Sequence, residues 1–225
     1  MKKIALLICA AVLFLSGCGA PKEPMLKSGK LRAAVTFELE NSEEIAEHIA
    51  KELGVPLEIS KTDRSAALEM VSNGRADIAV GAFSESNSPG LNYLMTMPVA
   101  ENRICIVCGG DLTVTGTTDL TGRVVGASSE LPESLLRSLI AIVADGNLIC
   151  NNAKTAAELL KSGDIHAYVC FEKEALELLS GNNKLRSCIP ADIEPERYSI
   201  VVLKSKTELF GAVNGIVGKM ITGEK

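Results

Sequence analysis

The chain has 225 residues and a formal net charge of −5, from 28 acidic and 23 basic side chains. An acidic chain lacks the basic surface that contacts to phosphate backbones require, so the composition argues against a nucleic-acid partner. The length fits one large domain or two small lobes, each with its own core.

The N-terminus predicts a signal peptide over residues 1–17. Two lysines precede an apolar run, Ile4 to Gly17, which is too short for a membrane-spanning helix of about 20 residues. The run ends in Leu-Ser-Gly-Cys, which resembles the lipobox of bacterial lipoproteins. The resemblance implies cleavage before Cys18, a diacylglycerol on its thiol, and a lipidated tether over residues 18–29. Two acyl chains give stable membrane anchoring. The alternative is a plain secretory signal that contains a cysteine by chance.

The remaining cysteines are odd in number. Of seven in the chain, one lies in the predicted signal peptide and one is the predicted lipidation site. An odd number cannot be fully paired within one chain. Most lie in or beside apolar runs, where free thiols behave as small hydrophobes. Mostly free buried thiols and a single disulfide are the two alternatives. The remaining cysteines are Cys105, Cys108, Cys150, Cys170 and Cys188.

The first part of the mature chain alternates strands and helices. A capping box at Asn41 and Glu44 predicts the start of the first helix, and Gly54 predicts its end. The alternation is typical of a parallel sheet covered by helices. The predicted elements are a strand at 31–35, a helix ending at 53, a strand at 57–60, a helix at 65–72 and a strand at 76–81.

The pattern continues after a stretch, 82–102, that lacks clear periodicity. A helix–glycine–strand unit at 156–169 repeats the unit at 66–80, which suggests two related halves. The predicted strands are 103–107, 124–127, 147–150, 165–170 and 198–202, and the predicted helices begin near 132, 154, 173 and 206.

At this point the chain resembles the extracytoplasmic solute-binding proteins of ABC importers, in particular the polar amino-acid group with the type II periplasmic-binding fold. The resemblance implies an α/β protein of two lobes, each a mostly parallel sheet with flanking helices, joined by two crossing strands. We expect lobe 1 at 30–104 and 197–225, and lobe 2 at 105–196. The matching segments are 29–32, 49–55, 73–78, 119–126, 162–169 and 198–202.

The chain departs from this family where the ligand is bound. The resemblance implies an arginine after the strand ending at Gly81 that clamps the ligand carboxylate, but residues 76–102 contain no Lys or Arg. The loop after the first strand is also short. In lobe 2, an aspartate that holds the ligand amino group is expected after the strand ending at Cys170. Phe171-Glu172 stands there, so Glu172 is the acid that the sequence offers.

The candidate ligand residues follow predicted strands, where helix N-termini and hydroxyls can hold a polar group. In both lobes a simple helix cap without a ligand is an equal alternative, and the aromatic residue after the first strand could equally belong to the core. The candidates are Phe37, Glu38, Ser84, Glu85, Ser86, Ser128, Ser129, Glu130 and Glu172.

The sequence gives little support for a metal site or a catalytic site. Cys105 and Cys108 have zinc-like spacing, but residues three apart on a strand point to opposite faces. His48 and His166 have no nucleophile that can be inferred beside them. The sequence therefore predicts no enzyme, no cofactor and no metal.

These observations predict a lipid-anchored protein on the extracytoplasmic face of the bacterial membrane that delivers a small polar, amino-acid-like solute to an ABC permease. The alternative is a sensor or scaffold lipoprotein with a degenerate pocket. Because lobe 1 lacks the arginine and the candidate residues include several acids, we expect a preference for neutral or cationic ligands.

Overall fold

A computed structural model of the protein describes residues 25–109, 112–144 and 146–223. The predicted signal peptide and Cys18 lie outside these residues. No helix in the described ranges is both long and apolar enough to cross a membrane. The strands are β1 Leu31–Thr36, β2 Leu57–Thr62, β3 Ile78–Val80, β4 Tyr93–Asn102, β5 Ile104–Gly109, β6 Val124–Ser128, β7 Asn147–Asn151, β8 Ala167–Phe171, β9 Leu185–Cys188 and β10 Glu196–Leu203. The helices are α1 Ser42–Leu53, α2 Arg64–Ser72, α3 Glu133–Val143, α4 Ala153–Ser162, α5 Glu172–Ser180 and α6 Thr207–Thr222.

The strands form two five-stranded mixed sheets, in the orders β2-β1-β3-β10-β4 and β7-β6-β8-β5-β9. In each sheet three strands are parallel, and a fourth is antiparallel to them. The two sheets therefore have matching topologies, in agreement with the repeat seen in the sequence. We call the first sheet with α1, α2 and α6 lobe 1, and the second sheet with α3, α4 and α5 lobe 2. The predicted two-lobed α/β fold is confirmed.

Helices cover both faces of each sheet, and each face has its own core. In lobe 1, α1 and α6 pack on one face and α2 on the other. In lobe 2, α3 packs on one face and α4 with α5 on the other. Strands buried on both faces are nearly continuous apolar runs, as in β3 and β5. This is why the sequence reveals these strands readily.

The crossings join the two sheets at the carboxyl ends of their parallel strands. A single residue, Arg103, separates β4 from β5, and residues 189–195 connect β9 to β10. The last residue of β4, Asn102, pairs with Glu196 at the start of β10. In lobe 2, Ile104 at the start of β5 pairs with Phe171 at the end of β8. The carboxyl ends of the two sheets therefore face each other across a cleft.

The sequence did not reveal β4. This strand lies at the edge of its sheet and is mostly half-buried, so it lacks a clear apolar alternation. It also contains Pro98, which is tolerated on edge strands because it cannot donate to the ladder. The pairing with β10 is irregular near this proline, and the Thr96 hydroxyl accepts a hydrogen bond from the Ile200 N–H at 3.0 Å instead.

Helix ends follow the sequence with one exception. Gly54 ends α1 in the left-handed conformation with φ 67°, and the Asp63 side chain accepts a hydrogen bond from the Ala66 N–H at the start of α2. Asn41 occupies the N-cap of α1 but makes no side-chain cap bond, so the predicted capping box is wrong. The Ser42 hydroxyl instead donates to the Thr36 carbonyl at 3.1 Å, which fixes α1 to the end of β1.

A buried carboxylate fastens the opposite end of lobe 1. Asp77, only 1% exposed, accepts hydrogen bonds from the backbone N–H and Nε of Arg32 at 3.0 Å each. Its second oxygen accepts from Arg32 Nη2 at 2.9 Å and from Lys206 Nζ at 2.7 Å. Burial alone would raise the pKa of Asp77, but these hydrogen bonds outweigh it and the pKa is lowered. The interaction links β1, β3 and the residue before α6.

Candidate functional site

The cleft is bounded by the residues that follow β1 and β3 in lobe 1 and β6, β7 and β8 in lobe 2. Among the described residues, an ion pair spans it: Lys173 Nζ in α5 lies 3.5 Å from Oε2 of Glu40, in the loop after β1. Both side chains are exposed, so the pair itself contributes little stability. The contact shows that the first turn of α5 faces the loop that carries Phe37 and Glu38.

The loop after β1 places an aromatic side chain in solvent. Phe37 is 71% exposed, and Glu38 is exposed beside it. Phe37 is therefore not part of the core, which was the alternative left open by the sequence. An exposed aromatic ring at the cleft is available to cover a ligand.

The end of β1 packs tightly against the end of β3. A Cβ atom on Gly81 would lie 2.1 Å from Oγ1 of Thr36, so only glycine fits there. Thr36 is 2% exposed and its hydroxyl has no hydrogen-bond partner among the described residues. Glycine at position 81 therefore lets β3 approach β1 closely at the floor of lobe 1.

The serines after β3 bond largely to each other. Ser84 Oγ lies 2.9 Å from Ser86 Oγ, and Ser86 donates to Oε2 of Glu196 at 2.9 Å. Asn87 closes the turn, because its Oδ1 accepts from the Ser84 N–H and its Nδ2 donates to the Ala82 carbonyl. Ser84 is buried and Glu85 is exposed. The structure thus brings Ser84 and Ser86 together and joins them to the crossing strand β10.

In lobe 2, the residues after β6 form a tight turn. Ser128 is 1% exposed and its hydroxyl accepts from the Glu130 N–H at 3.2 Å. The Ser129 N–H donates to the Asn151 carbonyl at 3.2 Å. The side chains of Ser129 and Glu130 are exposed. Ser128 is therefore the member of this turn that lies inside the lobe.

Glu172 turns toward the crossing. Its backbone N–H donates to the Arg103 carbonyl at 2.9 Å, and its Oε1 lies 4.0 Å from Arg103 Nη1. The side chain is 41% exposed. Glu172 thus has a cationic side chain next to it at the crossing.

A different acid lies inside lobe 2. Glu174, in the first turn of α5, has Oε1 3.3 Å from the hydroxyl of Tyr168. That hydroxyl also lies 3.1 Å from the Asn151 carbonyl oxygen. Oε2 of Glu174 and both side-chain polar atoms of Asn151 are buried without hydrogen-bond partners among the described residues. We call Ser128, Asn151, Tyr168 and Glu174 the lobe 2 polar cluster.

The surroundings of Glu174 shift the pKa of its carboxyl. Burial raises the pKa of its carboxyl. Hydrogen bonding by the Ser128 side chain, the Phe171 backbone and Tyr168 opposes this shift only in part, and the Glu130 carboxylate adds to it. Burial also raises the pKa of Tyr168, with the charge of Glu174 contributing. A cation placed beside Glu174 would lower the pKa of its carboxyl.

A tyrosine on the crossing strand connects the two lobes electrostatically. Tyr198 is 8% exposed and accepts a hydrogen bond from Asn102 Nδ2 at 3.2 Å. Burial raises its pKa, and the charges of Glu196 and of Glu130 in lobe 2 are near enough to add to the shift. The charge of Glu130 therefore acts on both Glu174 in lobe 2 and Tyr198 in lobe 1.

Sequence reasoning missed Asn151, Tyr168 and Glu174. The position of Glu174 carried one usable signal: it stands three residues after Phe171, the N-cap of α5, where a glutamate reaches back over the helix start. Asn151 and Tyr168 lie on the same face as Ser128, a relation that depends on strand register. No local pattern reveals that register.

A separate cavity of about 1090 Å³ lies at the other end of lobe 2, between α4 and α5, and is lined in part by His166 and Lys161. The Nδ1 atom of His166 lies 3.2 Å from the Val124 N–H, which gives this histidine a structural contact. Within the described residues, no cluster of His, Cys, Asp and Glu is suited to a metal ion.

Comparisons with known proteins agree with this architecture. Residues 38–225 match the model of the bacterial extracellular solute-binding proteins, family 3. Among curated proteins, no sequence matches the chain significantly.

Several solved structures share the fold. An amino acid ABC transporter substrate-binding protein, AbpA from Streptococcus pneumoniae, was solved bound to L-arginine; it is 22% identical with a TM-score of 0.59, over 88% of this chain and 92% of that one. An ancestral cationic amino acid solute-binding protein is 18% identical, with a TM-score of 0.67 over 88% and 92% of the two chains. The arginine-bound ArgBP from T. maritima is 19% identical, with a TM-score of 0.57 over 86% and 97%. At these identities the likeness establishes the fold.

Proposed function

Because this chain belongs to the bacterial extracellular solute-binding proteins of family 3, we propose that it binds a small polar, amino-acid-like solute between its lobes and delivers it to an ABC permease. The observation that carries the proposal is the family match over residues 38–225. The cleft supports it, because open α/β sheets bind ligands beyond the carboxyl ends of their strands. Closure of the lobes around the solute would create the form that the permease recognises. In this proposal the protein is a carrier and not an enzyme.

We propose that the part of the ligand that contacts lobe 2 carries a positive charge. Among the described residues, one buried carboxylate oxygen of Glu174 and the side-chain amide of Asn151 in the same cluster have no partner within hydrogen-bond distance. Each buried polar group without a partner costs about 1–3 kcal/mol, so a ligand ammonium or guanidinium there removes a penalty. Glu130 adds negative charge nearby. The solved structures of similar fold that contain L-arginine are consistent with a cationic ligand.

The predicted candidates divide into two proposed roles. Phe37 and Glu38 would cover the ligand from lobe 1, and Ser128, Ser129 and Glu130 would form the lobe 2 wall. Ser84, Glu85, Ser86 and Glu172 are proposed to shape the cleft and its crossing, because Ser86 bonds to Glu196 and Glu172 lies beside Arg103. For the lobes we propose the limits 30–104 with 197–225, and 105–196, to within one residue. Ile104 already begins β5 of lobe 2, and Glu196 begins β10 of lobe 1.

Anchoring at Cys18 is part of the proposal. The Leu-Ser-Gly-Cys sequence supports removal of residues 1–17, lipidation of Cys18 and a location on the extracytoplasmic face of the membrane. When cells that produce the wild-type chain are extracted with Triton X-114, the protein should partition into the detergent phase. Cys18→Ser would move it to the aqueous phase; equal partitioning of both forms would refute the anchor.

A sensor or scaffold lipoprotein is the second candidate. The observation that favours it is the absence of Lys and Arg from residues 76–102, which removes the carboxylate clamp implied by the resemblance. A lipoprotein of this kind would bind no solute, so added solutes would not stabilise its folded state.

A thermal-shift screen separates the two. Residues 19–225, purified by unfolding and refolding to remove any bound solute, would be screened against the twenty amino acids and small polyamines. A ligand at 100 times its Kd stabilises the folded state by about 2.7 kcal/mol, so the proposal predicts a clear rise in Tm with at least one compound. An unchanged Tm with every compound, together with no co-purifying small molecule in native mass spectrometry, would favour the scaffold.

A further inference from the structure

Two of the free cysteines lie directly opposite each other in lobe 2. Cys105 in β5 and Cys170 in β8 are register partners in an antiparallel pair. Ile104 is paired with Phe171, and Arg103 and Glu172 are the next residues along the two chains. The Glu172 N–H donates a hydrogen bond to the Arg103 carbonyl. Because the bonding pattern repeats every two residues, Cys105 and Cys170 also form a hydrogen-bonded pair, with Cα atoms about 5.5 Å apart. Disulfides span Cα distances of about 4.4–6.8 Å.

The two side chains also point to the same side of the sheet. Both belong to the core cluster beneath α4 and α5, with Leu160 and Leu178. Residues opposite each other on one face have Cβ atoms about 4.5–5.5 Å apart, while disulfides have them about 3.5–4.5 Å apart. Cβ atoms are farther apart in a hydrogen-bonded pair than in a non-hydrogen-bonded one, so the upper value applies to Cys105 and Cys170. A movement of about 1–2 Å between these two neighbouring strands therefore brings the sulfurs into bonding geometry.

The other cysteines lack such a partner. Cys108 and Cys188 lie on the opposite face and are diagonal, since Cys188 pairs with Ile106 and Cys108 with Arg186. Diagonal neighbours are about 7–8 Å apart, at or beyond the span of a disulfide. Cys150 is exposed on β7, which is an edge strand.

We propose that Cys105 and Cys170 form a disulfide, and that it is the single one among the five cysteines between residues 105 and 188. This assignment accounts for the odd number of cysteines, because one pair is joined and three thiols remain free. It rests on the extracellular character of the family, because disulfides persist outside the cytoplasm. It does not depend on which solute is bound.

The bond forms by thiol–disulfide exchange with an oxidant that is itself a disulfide. The two thiols lose two protons and two electrons as the sulfur–sulfur bond forms, and the oxidant's disulfide is reduced to two thiols. In the folded protein Cys105 is 3% exposed and Cys170 is fully buried. Burial raises the pKa of Cys105 to about 11 and that of Cys170 further, so neither supplies thiolate after folding. The exchange therefore takes place while the chain folds.

The linkage would fix the lobe 2 side of the crossing. Cys105 follows Arg103 closely, and Cys170 precedes α5, which carries Glu174. A disulfide closing a long loop restricts the unfolded chain. Oxidised protein is thus expected to melt about 5–15 °C above its reduced form.

Peptide mapping tests the proposal. Full-length protein exported by a bacterial host is trapped with iodoacetamide under denaturing, non-reducing conditions and digested. The expected result is one linked peptide pair containing Cys105 and Cys170, with Cys108, Cys150 and Cys188 alkylated. Alkylation of all five cysteines, or linkage of any other pair, would overturn the assignment.

A second measurement guards against a host that lacks an oxidant. The wild-type chain is refolded with glutathione disulfide or with dithiothreitol, and the two products are mapped and melted. The linked pair and the higher Tm are expected with glutathione disulfide alone. In Cys105→Ala the two products should melt together, whereas Cys108→Ala, a buried cysteine of the same strand, should keep the difference. Free thiols at both positions after oxidative refolding would contradict the proposal.

Discussion

The hydroxyl of Tyr168 lies 3.3 Å from Oε1 of Glu174, while the other carboxylate oxygen of Glu174 is buried and unpaired among the described residues. This relationship is the reason that we propose Glu174 as the acid that meets a ligand cation. Glu172, two residues earlier, is turned toward Arg103 instead. Two neighbouring acids in one helical turn therefore have different expected roles.

The first prediction compares these acids. Glu174→Gln should weaken binding of a cationic amino acid such as L-arginine about 10- to 100-fold, because a hydrogen bond to a charged group contributes about 1.5–3 kcal/mol. Glu172→Gln is the matched control and should change the Kd less than threefold. Isothermal titration calorimetry measures both; equal losses in the two variants would contradict the assignment.

The second prediction concerns pH and stability at the same residue. The pKa of Glu174 is raised in the folded protein, so the folded state binds the proton more tightly than the unfolded state. The resulting destabilisation is fully present above the folded pKa and disappears as pH falls toward the unfolded value. Glu174→Gln should therefore raise the Tm at pH 7 and leave it nearly unchanged at pH 4. A lower Tm at pH 7 would show that the carboxylate is instead stabilising.

The third prediction concerns Asp77. Replacing it with Asn removes the negative charge that Arg32 and Lys206 share. Breaking a buried pair costs about 3–5 kcal/mol, and because both cations are partly exposed we expect a loss of about 3 kcal/mol. Since the pKa of Asp77 is lowered, this stability is present above the unfolded pKa of about 3.9 and is lost as pH falls through the folded pKa. Urea unfolding at pH 7 and at pH 3 measures both effects. A wild-type advantage of equal size at the two pH values would contradict the account.

The fourth prediction uses two glycines. Gly81→Ala should destabilise the protein by about 1–3 kcal/mol, because the new methyl group would overlap Thr36. Gly211 lies on the exposed side of α6 with open space around its Cβ position, so Gly211→Ala should stabilise by about 0.5–1 kcal/mol through helix propensity. Thermal unfolding of both variants gives the comparison. A stable Gly81→Ala variant would show that β1 and β3 can separate freely.

The fifth prediction concerns Phe37. If the ring covers the ligand, Phe37→Ala should weaken binding about tenfold or more, from the loss of an aromatic side chain buried on closure. Leu91 is 90% exposed and lies just before the first residue of β4, at the end of that strand far from the crossing. Leu91→Ala therefore serves as the control. Unchanged affinity in Phe37→Ala would remove this residue from the proposed site.

Much of the fold could be predicted from sequence because its signals are local. Gly54 marks the end of α1, Asp63 caps α2, and the buried strands are continuous apolar runs. The edge strand β4 lacks such a signal, since its pairing with β10 joins residues about a hundred positions apart. The sequence alone could not reveal it.

The site was harder to predict for the same reason. The sequence indicates which strand ends carry polar residues, and Ser128 does lie inside lobe 2. It does not indicate which of two acids in the first turn of α5 turns inward. That choice depends on Tyr168 lying beside Glu174 and on Arg103 lying beside Glu172 at the crossing. The second of these contacts joins residues far apart in the sequence, so no local pattern reveals it.

The most direct test of the account is calorimetric titration of ligand-free residues 19–225 with L-arginine, L-lysine, L-glutamine, L-glutamate and L-aspartate at pH 7. The account predicts saturable one-to-one binding of at least one of the first three, with each acidic amino acid at least tenfold weaker. Submicromolar binding of glutamate or aspartate would contradict the proposed cationic site in lobe 2. Absence of binding to all five, and to every compound of the wider screen, would contradict solute binding itself.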